Sequence, residues 1–182
     1  MSETDFKNWC SESVKKFYSE NRSDPSRLYK SEKFFLEKIN LRKRSILDIG
    51  CACGGFYNIF KKLYHEINYT GIDVSPELVE AAKVTYPEAD FQVSTPGRLE
   101  FESDKFDLVY SSGVFHLIES EWKNLFREAY RVSKDKVLID FRVTIKKECV
   151  GRIQLDFYGA GEKNYAVYTV LNIFDLMDYF HA

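Results

Sequence analysis

From residue 45 onward, short apolar runs alternate with stretches in which apolar side chains recur every three or four positions. SILDI, YTGID, ADFQV, FDLVY and KVLIDF read as strands, and this alternation with helices predicts an α/β domain with a mainly parallel sheet. Phe56, Ile59, Phe60 and Leu63 line one helical face, and Trp122, Leu125, Phe126 and Ala129 line another. Ser75 is placed to cap a helix whose first position is Pro76, in PELVEAAKV. Residues 1–44 predict a helical cover. One helix carries Cys10, Val14 and Phe17; a second starts near Asp24-Pro25, carries Leu28, Phe35 and Ile39, and ends near Arg42-Lys43-Arg44, where positive charge suits a helix C-terminus. Residues 45–142 then hold the core. Residues 143–182 predict a lid-like pair of extended segments around a Gly-containing turn and a final helix, LNIFDLMDYF.

Composition narrows the class. With 182 residues, 45% of them hydrophobic and 16% aromatic, the chain suits one domain with a substantial core. Charged residues make up 30%, but the net charge is only −2, and the missing basic excess argues against nucleic acid as a partner. No apolar run approaches the roughly 20 residues of a membrane span. MSETDFKNW also lacks a signal-peptide core, so the expectation is a cytoplasmic chain without a membrane partner. Cys10, Cys51, Cys53 and Cys149 show neither paired C-x-x-C units nor a disulfide framework, which predicts reduced thiols and no metal site.

Candidate chemistry begins at ILDIGCACGGFYNIF. An aspartate, Asp48, stands inside an apolar strand, and Gly50, Ala52, Gly54 and Gly55 follow it into a helix. Small residues at such a turn let a ligand approach backbone N–H groups. Gly50, Ala52 and Gly55 also match the dinucleotide fingerprint G-x-G-x-x-G with one substitution. Asp73, nineteen positions after Gly54, closes the second strand, where a carboxylate can accept hydrogen bonds from both hydroxyls of a ribose. A nucleoside-containing cofactor follows. The competing structural roles are a helix cap for Asp73 and a buried carboxylate bonded to loop amides for Asp48. Cys51 and Cys53 lack a thiolate-stabilising neighbour and a set of metal ligands, and read as compact apolar fillers.

Taken together, ILDIGCACGGF, YTGIDVSPELVEAAK, FQVSTPGRLEF and FDLVYSSGVFHLI resemble, in order and spacing, the motifs of class I S-adenosylmethionine-dependent methyltransferases of the small-molecule methyltransferase-domain type. The resemblance covers about residues 45–142 and implies a Rossmann-like, mainly parallel sheet flanked by helices, with the N-terminal helices covering S-adenosylmethionine. It implies that Gly50, Cys51, Ala52 and Gly54 approach the methionine part of the cofactor and that Asp48 orients its ammonium. Asp73 would hold the ribose, Val74 flank the adenine, Thr95 and Pro96 stand at the adenine edge, and Ser111 lie beside the methionine group. Two residues depart from the pattern. Ala52 replaces the usual middle glycine and is expected to keep a negative φ, while Thr95 replaces an aspartate.

His116 falls just after the fourth strand, at the expected mouth of the site, and is the candidate catalytic base; a packing role is the alternative. His65 and His181 fall elsewhere. Arg142 could meet an anionic substrate, and Tyr158, Tyr165 and Tyr168, like Tyr18 and Tyr29 on the cover, could close over the site. The expected reaction is methyl transfer to an oxygen, nitrogen or carbon nucleophile of a small molecule, giving S-adenosylhomocysteine. An NAD-dependent oxidoreductase and a non-catalytic cofactor- or partner-binding module remain alternatives. Because the family's sheet usually closes with sixth and seventh strands, a truncated chain with an incomplete, apolar C-terminal sheet edge is also expected, covered by association into a homo-oligomer.

Overall fold

The five apolar runs form five strands in the computed structural model, which describes residues 9, 11–39, 44–64, 66–95, 97–155, 158 and 165–181. They are β1 (Arg44–Ile49), β2 (Ile67–Asp73), β3 (Asp90–Val93), β4 (Phe106–Ser111) and β5 (Ser133–Ile139), in the spatial order β3-β2-β1-β4-β5 with every neighbouring pair parallel. Six α-helices accompany them among the described residues: α1 (Glu12–Asn21), α2 (Lys30–Leu36), α3 (Gly55–Tyr64), α4 (Pro76–Thr85), α5 (Trp122–Val132) and α6 (Ile173–His181).

Helices cover both faces of the sheet, so its central strands carry apolar residues at successive positions. Ile46 and Leu108 face Phe60 of α3, Val79 of α4 and Leu36 of α2. Their neighbours Leu47 and Val109 face Trp122, Leu125 and Ala129 of α5. The result is the mainly parallel α/β sheet the strand pattern calls for, in the Rossmann-like arrangement the family resemblance implies. Ser75 caps α4 by accepting from Leu78 N at 3.2 Å, with Pro76 at the first helical position.

The cover differs in detail from its sequence pattern. α1 starts after Ser11, whose hydroxyl accepts from Val14 N, and Val14 is its buried residue. The second helix starts at Lys30, because Asp24 accepts from Ser26 N and so caps a separate 3₁₀ turn, Pro25–Arg27. Leu36 rather than Phe35 is its buried anchor, and Phe35 is 49% exposed. Cys10, Arg42, Lys43, His65 and Pro96 lie outside the described residues.

Past β5 the chain forms a second sheet from β6 (Val143–Thr144), β7 (Cys149–Gln154) and β8 (Tyr165–Asn172), in the order β6-β8-β7. β7 and β8 are antiparallel, matching the expected extended pair, and α6 follows directly. Exposed apolar side chains at this end include Phe174, Met177 and Phe180 of α6 and Ile145 and Val150 near the hairpin. Among the described residues, no helix is long and apolar enough to cross a membrane.

Candidate functional site

The order of the strands switches direction between β1 and β4, and the crevice outside their carboxyl ends is where an open α/β sheet receives a ligand. A cleft of about 130 Å³ lies there. Every strand of the β1–β4 group contributes: Gly50 and Ala52 after β1, Asp73 and Val74 at β2, Ser94 and Thr95 after β3, Ser112 and Gly113 after β4. Trp9 and Tyr18 reach it from the cover, and Leu99 and Leu125 add apolar wall. Asp73 and Glu121 are the charged side chains that line it among the described residues.

Backbone hydrogen bonds build the turn after β1. Gly50 N and Cys51 N both donate to Ile72 O, at 2.8 and 3.0 Å, and Gly54 N donates to Cys51 O at 2.9 Å. Ala52 N donates to Asp73 Oδ2 at 3.0 Å. These N–H groups are therefore engaged within the chain, and Gly50 and Ala52 offer a ligand close backbone surface instead of free donors. Gly54 does not line the cleft; its φ is +77°, and a side chain there would come within 2.7 Å of the Phe91 ring.

Ala52 departs from the conformation its sequence position suggested. Its φ is +46°, in the left-handed region, instead of negative. For an L-residue with a Cβ this costs about 1–2 kcal/mol. The bond from Ala52 N–H to the Asp73 carboxylate, strengthened by the acceptor's charge, offsets that strain. Cys51 and Cys53 are buried free thiols; burial raises both pKa values, that of Cys53 to about 11. Cys51 packs its Cβ near the α-carbon of Gly71 and does not line the cleft.

The two aspartates divide. Asp73 lines the cleft, and its Oδ1 accepts from Ser75 N at 3.0 Å while Oδ2 takes the Ala52 N–H. Burial raises its pKa, and the N–H groups of Ser75, Ala52 and Val74 oppose the rise. Each oxygen retains a further lone pair for a ligand hydroxyl. Asp48 is 1% exposed, lies outside the cleft lining, and accepts the Tyr69 hydroxyl hydrogen at 2.5 Å. Burial pushes its pKa to about 7, with the charge of Asp73 adding to the rise and the Tyr69 hydrogen bond opposing it.

Val74 and Thr95 line the cleft as the motifs suggested. Ser111 does not: it is buried and donates to Ile49 O at 2.9 Å, while Ser112 reaches the cleft one residue later. His116 also misses the lining, which its neighbour Leu117 joins. The His116 ring packs edge-on against Tyr168 at 4.9 Å, and its Nδ1 has no hydrogen-bond partner among the described residues. Burial, then the charge of Arg142, push its pKa down to about 4, which makes it a weak, neutral group near pH 7. Arg142 is paired with Asp140. Tyr158 donates to Glu20 of α1 at 3.0 Å, Tyr165 is exposed, and Tyr29 is 57% exposed with Arg22 over its ring; of the five tyrosines considered, Tyr18 alone lines the cleft.

Two carboxylates that sequence reasoning passed over hold the cleft segment after β4. Glu32 of α2 is 8% exposed; its Oε1 accepts from Arg22 and, at 2.6 Å, from Ser112 Oγ, and its Oε2 accepts from Tyr29 N at 2.7 Å. Asp140 accepts from Gly113 N at 2.6 Å. Asp140 sits in the apolar run KVLIDF as Asp48 sits in SILDI, and that shared signal could have singled it out. Among the described residues, no group of three or more His, Cys, Asp or Glu side chains could hold a metal ion.

Comparison with known proteins matches residues 46–136, half of the chain, to the methyltransferase domain family. A malonyl-[acyl-carrier protein] O-methyltransferase of Legionella pneumophila is 29% identical over 134 residues, covering 65% of this chain and 45% of the relative. A 2-methyl-6-phytyl-1,4-hydroquinone methyltransferase of Synechocystis is 40% identical over 70 residues, covering 37% of this chain and 22% of that protein. The chain thus spans less than half the length of these curated relatives. In fold it is similar to a SAM-dependent methyltransferase from Methanosarcina mazei, with a TM-score of 0.61 and 18% identity over 82% of this chain and 81% of that one.

Proposed function

This chain belongs to the methyltransferase domain family, and on that premise we propose that it transfers a methyl group from S-adenosylmethionine to a small-molecule oxygen, nitrogen or carbon nucleophile. The observation that carries the reading is Asp73, a cleft-facing carboxylate at the end of β2, fixed through both oxygens by the N–H groups of Ala52 and Ser75. A carboxylate so held suits the two hydroxyls of a ribose. Val74 and Leu99 supply apolar surface for a flat base, Thr95 a hydroxyl at its edge, and Gly50 and Gly113 the close backbone approach that a thin, polar chain requires.

The cofactor supplies an already electrophilic sulfonium methyl group. The chain's own task is then alignment and exclusion of water, and good orientation alone is worth about 7–11 kcal/mol. Within this reading His116 braces the turn Phe115–Leu117 against Tyr168, and its pKa of about 4 and its place outside the cleft lining favour that packing role over a catalytic base. The absence of lysine and arginine from the described cleft lining, together with a net charge of −2, supports a small acceptor over a polyanion. Of the two relatives, one is named for malonyl-[acyl-carrier protein] and the other for 2-methyl-6-phytyl-1,4-hydroquinone, and the second supports a small-molecule acceptor.

Calorimetric titration with S-adenosylhomocysteine, with NAD as the parallel titrant, tests the proposal. The expected result is binding of S-adenosylhomocysteine alone, weakened about a hundredfold in Asp73→Asn through loss of one acceptor oxygen and of the charge on the other. Binding of NAD with no response to S-adenosylhomocysteine would overturn it. Binding without transfer of labelled methyl to any fraction of a metabolite extract would leave a cofactor-binding module in place of an enzyme.

A further inference from the structure

The cleft segment Gly113–Leu117 touches the β7–β8 hairpin although no described residue of the hairpin lines the cleft. At one end of the segment, Gly113 N donates to Asp140 Oδ1 at 2.6 Å. The other Asp140 oxygen pairs with Arg142, and Tyr168 of β8 reaches the same guanidinium. At the segment's other end, the His116 ring rests on Tyr168, and Leu117 packs with Leu155 and Ala166 of the hairpin region. Leu171 N of β8 also donates to Arg142 O at 2.9 Å. A chain of polar contacts, Gly113 to Asp140 to Arg142 to Tyr168, therefore runs from the floor of the cleft to the hairpin beside the direct packing of His116 and Leu117.

That junction is not uniformly satisfied. His116 Nδ1 and Thr169 Oγ1, one on each of the two packed elements, are buried without a hydrogen-bond partner among the described residues. Buried polar atoms without partners disfavour the packed arrangement, which the charged bridge helps to hold. An element held by a few charged contacts against such a cost is suited to two positions.

Resting on the methyltransferase reading, we propose that Asp140 and Arg142 are positioning residues that couple the hairpin to occupancy of the cleft. A ligand that orders Gly113–Leu117 fixes Asp140 and, through Arg142 and Tyr168, docks β8. The hairpin thereby responds to the cofactor without a contact between its described residues and the cleft.

Hydrogen exchange with and without S-adenosylhomocysteine tests the coupling, on the parent chain and on Arg142→Met, which leaves Asp140 and Gly113 in place. In the parent, the ligand should slow exchange about fivefold or more at both 112–118 and 165–172. In Arg142→Met it should still slow 112–118, and the slowing at 165–172 should be lost, while β1 exchanges as in the parent. Persistent ligand protection of 165–172 in Arg142→Met, or none in a parent that binds the ligand, would overturn the proposal. Asp140→Asn, which keeps an acceptor for Gly113 N, should reproduce the Arg142→Met pattern and serves if that variant does not fold. If S-adenosylhomocysteine does not bind the parent, the functional reading fails by itself. The coupling is then read in the free chain: either substitution must speed exchange at 112–118 and 165–172 together, and acceleration of only one segment, or of neither, overturns it.

Discussion

Replacing Asp48 by asparagine exposes what a carboxylate in an apolar strand does to stability. The Asp48 pKa moves from 3.8 in an unfolded chain to about 7 in the folded one, chiefly through burial. Between those values the folded chain holds a proton that the unfolded chain has released, so this group's stabilisation is complete below the unfolded pKa and is lost as pH rises through about 7. The full span corresponds to about 4 kcal/mol. Asparagine accepts the Tyr69 hydroxyl hydrogen in the same place and cannot ionise, so the variant escapes the loss. His116 acts in the opposite sense: its pKa falls from 6.5 to about 4, so its stabilisation is present above the unfolded value and is lost as pH falls through the folded one. That contribution is at most about 3 kcal/mol and offsets much of the Asp48 slope in the parent. The difference between parent and variant isolates Asp48. In urea unfolding, Asp48→Asn should gain about 3 kcal/mol on the parent between about pH 5 and about pH 8. A gap that stays constant over this range would refute protonation of Asp48 in the folded chain, and a parent that gains on the variant would mean that Asp48 is ionised and paired.

Gly54→Ala should cost about 3 kcal/mol, combining a left-handed φ with a Cβ 2.7 Å from Phe91, and should lower the urea midpoint without changing the slope. Glu32→Gln should cost about 3 kcal/mol by leaving Arg22 poorly compensated where the pair is buried. Adding Arg22→Met should recover part of that loss in a double-mutant cycle, and strict additivity would show that the two do not act as a pair. Asp73→Asn should weaken S-adenosylhomocysteine binding far more than it lowers the melting temperature, and equal losses would mark the residue as a structural cap.

The strands and most helices were legible because burial writes itself into periodicity. Ile46 and Leu47 are both buried because they face different helical layers, and a continuous apolar run records that. Local capping was harder to scale. Asp24 has the residues of a helix start, yet the structure they cap is a single 3₁₀ turn, and the helix begins at Lys30. Gly50, Asp73, Val74 and Thr95 line the cleft, at places that follow from where strands end. Ser112 and Leu117 line it where Ser111 and His116 do not. Ser111 ends β4, where successive side chains point in opposite directions, so a shift of one residue exchanges the cleft for the interior, whereas His116 and Leu117 sit on the 3₁₀ turn Phe115–Leu117, whose neighbouring side chains diverge around the turn.

The carboxylates show why a site is only half visible in sequence. Asp48 and Asp140 each interrupt an apolar run, and such a residue announces that a hydrogen-bond partner must exist, because burial without one is costly. The announcement carries no address. The donor to Asp48 is Tyr69, 21 positions away; one donor to Asp140 is Gly113, 27 positions away, and one donor to Glu32 is Ser112, 80 positions away. The consequences differ with the partner: a hydroxyl from the next strand leaves Asp48 as a titrating core group, whereas Gly113 and Ser112 belong to the cleft, so Asp140 and Glu32 govern its shape. One residue type in similar apolar settings thus serves stability in one place and ligand positioning in another, and only the parallel pairing of β1 with β2 and of β4 with β5 decides which.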